Sequence, residues 1–290
     1  MTATTTTLGT LKAKSGPNVF DGKVWFQEDE TSKLIVMPIE RPAGAYNPQG
    51  FSVGSMPQLC DDGFVYFQSA DDKLVVMKQD YPHLYCVVEG VGCMDTPEAP
   101  NDGYVYVRSS AGSGKLARVA VTPAEFGEVT YYEAFTGWTP AVYIRDDLQR
   151  AFFADAKSRK LKKIDLDSTS NTASEVGDYE LYGAPYMGEH GKLYIVDKSH
   201  DAYEIDPVTF AATKIASDVV STPVTPEFGD DGYVYWQTIG DKLLMAPRNA
   251  TFTPTIELGT TTAQPDVLGS GRVVFRALDS TLKLRDPGVD

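Results

Sequence analysis

Residues 57–74 of the chain read PQLCDDGFVYFQSADDKL. A proline is followed six positions later by a glycine, then by an apolar run, a polar turn and a Lys-Leu pair. The same arrangement, with variations, occurs seven times, and the copies begin at the prolines Pro17, Pro57, Pro97, Pro140, Pro185, Pro226 and Pro265. Successive prolines are 40, 40, 43, 45, 41 and 39 residues apart. The chain is therefore predicted to consist of seven similar structural units.

Each part of the repeat has the composition of a strand or a turn. Aspartate beside glycine, as in Asp61-Asp62-Gly63, is typical of tight turns because both residue types tolerate a positive φ angle at low cost. The segments after the turn, such as 64–67 and 233–236, are apolar throughout, which suits strands that are covered on both faces. A third strand follows the polar turn, and a more variable outer segment comes after it. Four strands per repeat are therefore predicted.

A period near 40 residues with four strands per repeat is the signature of a β-propeller, with one blade per repeat. We predict an all-β, seven-bladed β-propeller with four-stranded antiparallel blades, forming a single domain over residues 1–290. The blades are expected to start near residues 15, 55, 95, 138, 183, 224 and 263.

The two ends of the repeat array complement each other. The last repeat stops after its third strand, at 282–285, so its outer strand is missing. The segment 4–11 has no blade of its own, and its start, 4–9, resembles the outer segment 256–261 of the sixth repeat. We therefore predict that residues 4–11 complete the seventh blade and close the ring, which removes strand edges that would template aggregation.

Composition narrows the possible partners and compartments. The net charge of −14 argues against a nucleic-acid-binding groove. No apolar run of 18 residues suggests membrane insertion, and the N-terminus lacks the features of a signal peptide. Cys60, Cys86 and Cys93 form no metal-binding or disulfide pattern and are expected to be buried as small apolar residues, although a Cys86–Cys93 disulfide stays open.

The sequence contains no clear catalytic or cofactor-binding motif. His83, His190 and His200 are scattered over different repeats without the spacing of metal ligands. The loop 112–115 lacks the glycine spacing of a phosphate-binding loop. No catalytic residue, metal site or cofactor is predicted.

One repeat resembles a known type of blade. Residues 191–197 with 203–207 resemble the blades of quinoprotein-like and YWTD-type propellers, although the likeness covers only this blade well. Quinoprotein enzymes carry tryptophan-docking motifs in most blades. Because this chain has only Trp25, Trp138 and Trp236, the resemblance does not imply a quinone cofactor.

Two departures from the repeat are candidate binding sites. The fourth repeat concentrates seven basic residues, which form either a solvated face or a docking patch for an acidic partner or a second copy: Arg145, Arg150, Lys157, Arg159, Lys160, Lys162 and Lys163. Three aromatic residues, Tyr46, Trp138 and Tyr182, fall in loops that would surround one mouth of the propeller channel, unless they pack in the core.

Three classes of function are compatible with such a propeller. A lectin should repeat the same binding residues in each blade, whereas the repeated residues here are turn and core types. An enzyme (hydrolase, lyase or oxidoreductase) should gather polar side chains at one mouth of the channel. We expect instead a non-catalytic scaffold that contacts other protein subunits, as a bacteriophage virion component in the tail or on the capsid surface. A cytoplasmic location and, for the lectin alternative, a glycan partner remain open.

Overall fold

A computed structural model describes residues 4–145, 147–167, 172–188, 191–220, 227–229, 231–248, 255–268 and 271–286. Pro226 and His190, named above, lie outside these residues. The strands, in chain order, are β1 (Thr4–Lys12), β2 (Asn18–Phe20), β3 (Lys23–Gln27), β4 (Leu34–Pro38), β5 (Gln58–Leu59), β6 (Phe64–Gln68), β7 (Leu74–Lys78), β8 (Tyr85–Val88), β9 (Tyr104–Ser109), β10 (Lys115–Ala120), β11 (Val129–Tyr132), β12 (Ala141–Arg145), β13 (Leu148–Ala154), β14 (Lys160–Asp165), β15 (Ala173–Glu180), β16 (Tyr186–Met187), β17 (Leu193–Val196), β18 (Ala202–Ile205), β19 (Ala212–Ala216), β20 (Glu227–Phe228), β21 (Tyr233–Gln237), β22 (Lys242–Pro247), β23 (Ile256–Thr260), β24 (Asp266–Val267), β25 (Val273–Arg276) and β26 (Thr281–Asp286).

These strands form seven separate sheets, one for each repeat, so the chain is a seven-bladed β-propeller as predicted. In order along the chain the sheets are β2-β3-β4, β5-β6-β7-β8, β9-β10-β11, β12-β13-β14-β15, β16-β17-β18-β19, β20-β21-β22-β23 and β24-β25-β26-β1. We number these sheets as blades one to seven. Neighbouring strands whose register is resolved run antiparallel, because short turns join consecutive strands.

The N-terminal strand completes the last blade, which confirms the prediction for residues 4–11. Thr4 of β1 pairs with Asp286 of β26, and Thr7 pairs with Lys283. The register then shifts before Lys12, and Gly9 lies in this irregular stretch with a φ of +67°. The outer strand of blade six has a similar irregularity beside Gly259, so the sequence likeness between the two segments reflects a shared bulge.

Two blades have three strands in the structure instead of the predicted four. In blade one the outer position is taken by isolated pairs, such as Tyr46 with Val36, around a short 3-10 turn at Pro42–Gly44. In blade three the innermost position is reduced to a single pair, Glu98 with Tyr106. Both segments carry additional prolines, Pro100 in blade three and Pro42 and Pro48 in blade one, and a proline cannot donate a backbone hydrogen bond to a neighbouring strand.

The sheets belong to two compact units, which are described separately. Residues 1–52, 199–203 and 214–290 form the first unit, and residues 53–198 and 204–213 form the second. In the first unit Phe26, Met37 and Val274 belong to one buried apolar cluster. In the second unit the largest clusters lie between consecutive blades, and one of them contains both Cys60 and Cys93.

The Asp-Gly turns of the repeat carry a structural contact that recurs in three blades. The tyrosine hydroxyls of the following strand donate to the turn aspartates, at 2.6 Å from Tyr66 to Asp62 and at 2.8 Å from Tyr106 to Asp102. Tyr235 donates in the same way to Asp231, at 2.5 Å. The other oxygen of Asp62 accepts the backbone N–H of Phe64. These aspartates therefore stabilise the turns and satisfy buried hydroxyl groups.

All three cysteines are free thiols. The expected burial is confirmed for Cys60 and Cys93, whereas Cys86 is exposed on the outer strand β8, so the expectation was wrong there. Within the described ranges, no helix is long and apolar enough to cross a membrane.

Candidate functional site

The turn between the second and third strands of blade four is built around a buried carboxylate. We call this type of turn the BC turn, and in blade four it spans residues 155–159. Asp155 is only 5% exposed and accepts hydrogen bonds from Thr136 at 2.6 Å and from the Lys162 ammonium at 3.0 Å. It also accepts the backbone N–H of Ser158 at 2.7 Å and that of Lys157 at 3.2 Å.

These contacts determine the charge of Asp155. Burial by itself would raise the pKa of the carboxyl, but the hydrogen bonds from Thr136, Ser158 and Lys162 outweigh it and hold the pKa well below its usual range. Asp155 is therefore a fixed negative charge that orders the turn and its neighbouring loop.

Arg159 ends this turn in an unusual backbone conformation. Its φ is +58°, in the left-handed region that favours glycine, asparagine and aspartate. Its N–H donates to the carbonyl of Asp155 at 2.8 Å, and its own carbonyl accepts the N–H of Leu181 at 2.8 Å. The backbone is thus held from both sides while the side chain stays exposed.

The Arg159 side chain connects two of the predicted aromatic residues. Its guanidinium carbon lies over the Trp138 ring, 5.1 Å from the centroid, and its Nη1 donates to the Tyr182 carbonyl at 3.3 Å. Trp138 is half-buried, and Tyr182 is 39% exposed. The sequence assigned these three residues to two different candidate sites; the fold brings them together. We call Trp138, Arg159, Tyr182 and the adjacent Lys157 the blade-four cluster.

The remaining basic residues of the fourth repeat do not extend this cluster as a continuous cationic patch. Arg150 pairs with Asp165 at 2.9 Å and donates to the Pro207 carbonyl at 2.7 Å. Its guanidinium also lies 5.3 Å from the Phe210 ring. Lys163 contacts the same Asp165 at 2.6 Å.

The two lysines nearer to the BC turn are also neutralised. Lys162 pairs with Asp155, and Lys160 pairs with Asp178. Arg145 is exposed at the end of β12. In the part of the chain that the structure describes, Lys157 is exposed and forms no ion pair. Within the BC turn, the predicted docking patch therefore contributes two exposed cations without an ion pair, Lys157 and Arg159.

Tyr46, the third predicted aromatic residue, belongs to the first unit. It is 43% exposed and occupies the outermost position of blade one, where its N–H and carbonyl bond to Val36 at 3.0 and 2.9 Å. Its role in binding stays a prediction.

The BC turns of the other blades share the backbone of Arg159 but carry different side chains. The residue just before the Lys-Leu position has a positive φ in each repeat: Ser32 (+56°), Asp72 (+59°), Gly114 (+84°), Arg159 (+58°), His200 (+63°), Asp241 (+58°) and Ser280 (+64°). The Asp72 carboxylate accepts the side-chain amide of Gln68 at 2.6 Å, and Asp241 accepts that of Gln237 at 2.9 Å. In those two blades the side chain is used within the turn itself.

Asp155 and the special position of Arg159 were not predicted from the sequence. The sequence did contain a signal for Arg159. When the repeats are aligned, the residue just before each Lys-Leu or equivalent pair occupies the same turn position, and in the fourth repeat this residue is Arg159. Asp155 gave no such signal, since aspartate in a polar turn is common.

A second carboxyl that was not predicted lies on the innermost strand position of blade three. Burial raises the pKa of Glu98 to about 8, although a hydrogen bond from the backbone N–H of Val142 opposes this. In the first unit Asp266 accepts the N–H of Val19 in a similar way. Both carboxyls therefore satisfy backbone donors of a neighbouring innermost strand.

No known family profile matches the chain, and no curated protein matches it significantly. Its fold is similar to those of several solved propellers. A catalytically inactive variant of virginiamycin B lyase from Staphylococcus aureus, solved with quinupristin, is 16% identical, with a TM-score of 0.66, and the match covers 98% of this chain and 99% of that one. BamB from Moraxella catarrhalis is 12% identical, with a TM-score of 0.59 and coverages of 96% and 100%. The WD40 β-propeller domain of Doa1 is 12% identical, with a TM-score of 0.65 and coverages of 97% and 95%. At these identities the similarity establishes the propeller fold and no particular activity.

Proposed function

We propose that this protein is a non-catalytic interaction module that binds another protein through the blade-four cluster. The observation that carries this proposal is Arg159, held with a φ of +58° so that its exposed guanidinium lies over Trp138. Tryptophan, tyrosine and arginine are the residues that most often dominate the binding energy of protein interfaces.

The blade-four cluster is also preorganised in the absence of a partner. The Arg159 side chain rests on an aromatic ring and is tied to the Tyr182 carbonyl at 3.3 Å, so fewer rotamers are lost when a partner docks. Asp155 fixes the backbone of the same turn through several hydrogen bonds. A preorganised side chain contributes more of its interaction energy to affinity than a mobile one.

The lectin alternative is less favoured because the residue at this turn position differs between blades. A propeller lectin gains avidity from equivalent pockets in several blades. Here the equivalent residues are serine, aspartate, glycine, histidine and, in one blade, arginine. A single binding site per chain fits a protein partner better than a multivalent glycan.

The enzyme alternative is represented by the similarity to virginiamycin B lyase. Asp155 and Glu98, two of the carboxyls with shifted pKa values in the second unit, are both engaged by backbone donors that they stabilise. We therefore expect the purified protein to leave quinupristin unchanged over hours at micromolar enzyme. Turnover of quinupristin that is lost when a buried carboxyl is replaced, as in Glu98→Gln, would contradict the non-catalytic proposal.

The larger assembly that we propose is a bacteriophage particle, with the protein in the tail or on the capsid surface. What supports this proposal is an acidic propeller whose degenerate repeats lie outside the well-marked propeller families. Mass spectrometry of purified particles from the source would test this, and absence of the chain from them would contradict it.

Site-specific photocrosslinking tests the interaction proposal itself. A photoreactive phenylalanine analogue in place of Ala156, an exposed residue of the same turn outside the cluster, should crosslink a discrete partner in extracts of the source, whereas the same analogue in place of Lys12, an exposed lysine of β1, should not. Adding Trp138→Ala to the Ala156 probe should abolish the crosslink. Equal crosslinking from both positions, or a crosslink that survives Trp138→Ala, would contradict a binding role for the cluster.

A further inference from the structure

We infer that the partner presents carboxylates, so that the blade-four cluster recognises an acidic peptide segment through Arg159 and Lys157. This inference rests on the proposed function and specifies the chemistry of its ligand. It starts from the backbone of Arg159, whose φ of +58° is disfavoured for a residue with a Cβ atom.

The conformation of Arg159 is informative because no other residue at this position has so long a side chain; Ser32, His200 and Ser280 share the positive φ with shorter ones. Blade three has Gly114 at this position, which accepts a positive φ without a penalty. Asp72 and Asp241 belong to the residue types that tolerate this region and gain hydrogen bonds from Gln68 and Gln237. Strained residues of this kind tend to occur where a function requires their side chain.

The geometry of the guanidinium suits a carboxylate. Arginine has five N–H donors in a planar fork, and a carbonyl such as that of Tyr182 occupies one of them. The Trp138 ring covers one face of the group and removes part of its hydration shell. A planar, partly desolvated fork favours a charge-assisted, bidentate bond to a carboxylate.

The surrounding charges also favour an anionic ligand, even though the chain has a net charge of −14. Screening limits the reach of that charge to about 8 Å at physiological ionic strength. Next to the cluster, Lys162 and Lys160 are paired with Asp155 and Asp178, and Lys198 is paired with Glu180. The unpaired cations among the described residues of this turn are Lys157 and Arg159.

A sugar is a weaker fit to the same residues. Sugars bind tryptophan mainly by packing their C–H face on the ring. Here the guanidinium already lies 5.1 Å from the ring centroid and covers one face of Trp138, which is itself half-buried. The guanidinium therefore takes the ring face of Trp138 on which a sugar would pack.

Selection from a random 12-residue peptide display library on the immobilised full-length protein tests this inference. Wild type should enrich peptides rich in Asp and Glu, and Arg159→Asn should lose that enrichment. Asparagine tolerates the left-handed backbone, so this variant should keep its fold, which thermal unfolding will verify. Lys12→Gln, which removes one exposed charge from β1, is the matched control and should enrich the same peptides as wild type.

Affinity measurements then separate charge from shape. For the most enriched peptide, Arg159→Asn should weaken binding at least tenfold in fluorescence anisotropy, and Arg159→Lys should recover part of the loss. Replacing the acidic residues of the peptide with their amides should weaken wild type strongly and Arg159→Asn little, because the two changes remove the same contact.

The possible outcomes distinguish the inference from the proposed function. Peptides without acidic enrichment whose binding is still lost in Trp138→Ala would overturn the inference and keep the interaction proposal. Peptides that bind wild type, Arg159→Asn and Trp138→Ala equally would overturn both. Enrichment of no peptide, together with saturable binding on a glycan array, would overturn the acidic-peptide inference in favour of a sugar.

Discussion

The BC turn of blade four differs from those of blades two and six in the way it is held together. In blades two and six the residue at the positive-φ position, Asp72 or Asp241, uses its side chain to bind a glutamine of the preceding strand. In blade four this position is Arg159, whose side chain contacts Trp138 and the neighbouring loop instead. The backbone conformation is the same, with φ angles of +58° to +59°.

This difference shows that in blade four the side chain at the positive-φ position is not needed to stabilise the turn. The hydrogen bonds that stabilise the blade-four turn come from its first residue, Asp155, whereas the equivalent first residue in blade two is Ser69. A buried carboxylate accepts more and stronger hydrogen bonds than a hydroxyl. Because Asp155 holds the turn, the Arg159 side chain is available for recognition.

Removing the first residue of each turn should have the largest effect. Asp155→Ala deletes the acceptor for Thr136, Ser158 and Lys162 and should lower the free energy of unfolding by about 3 kcal/mol, since buried donors lose their partner. Ser69→Ala in blade two should cost only about 1 kcal/mol. Urea unfolding followed by tyrosine and tryptophan fluorescence measures both. Equal losses of unfolding free energy in the two variants would mean that Asp155 does not take over the role that the Gln68–Asp72 hydrogen bond has in blade two.

The charge of Asp155 adds a dependence on pH that Ser69 cannot have. Because its folded-state pKa is lowered, its contribution to stability is present above the unfolded value, near 3.9, and is lost as the pH falls below it. We expect roughly 2 kcal/mol of stability to disappear in this acidic range in wild type and not in Asp155→Asn. Denaturant titrations at a series of pH values measure the slope; parallel acid limbs in the two proteins would contradict this assignment.

Glu98, in the same unit, is a control because its pKa is shifted upwards, whereas that of Asp155 is shifted downwards. Burial raises its pKa to about 8, so its contribution is complete below an unfolded value near 4.5 and is lost as the pH rises through 8. Glu98→Gln should therefore flatten the profile between about pH 4.5 and pH 8 and leave the acid limb below it unchanged. A flattened acid limb in this variant would show that the two carboxyls are coupled.

The sequence allowed the propeller and its closing strand to be predicted because both depend on features of single segments. The 40-residue period places the strands, and the likeness of residues 4–9 to 256–261 identifies β1 as an outer strand. The outer strand of blade one and the inner strand of blade three are shorter than predicted because prolines remove backbone donors there.

The candidate site depends on contacts between segments and could be predicted only in pieces. Trp138, Arg159 and Tyr182 were each recognised, yet their meeting depends on how two loops and a turn are aligned in space. For the basic run of the fourth repeat the sequence left open either a solvated face or a docking patch. Four of its members, Arg150, Lys160, Lys162 and Lys163, pair with Asp155, Asp165 and Asp178, and sequence alone does not specify which carboxylate lies opposite which basic side chain.

The comparison can also be tested in the other direction, by placing arginine, the blade-four residue, at position 72 of blade two. Asp72→Arg removes the acceptor for Gln68 and places a long side chain at a φ of +59° without a tryptophan to support it. The free energy of unfolding should fall by about 1.5 kcal/mol, combining a lost hydrogen bond with backbone strain. Asp72→Asn, which keeps both an acceptor and the backbone preference, is the control and should change stability by less than about 0.5 kcal/mol. An Asp72→Arg variant as stable as this control would show that arginine at this position carries no strain.

The strain at Arg159 itself can be measured with two variants that both lack the guanidinium. Arg159→Gly should be more stable than Arg159→Ala by about 1 kcal/mol, because only glycine adopts a φ of +58° without a Cβ penalty. Ala156→Gly, in the same turn but without a positive φ, should show the opposite sign and lose about 0.5 kcal/mol through the greater freedom of the unfolded chain. Thermal and urea unfolding of the three variants gives these differences directly. If Arg159→Ala matched Arg159→Gly, the turn would accommodate a side chain without cost, and arginine at this position would need no functional compensation.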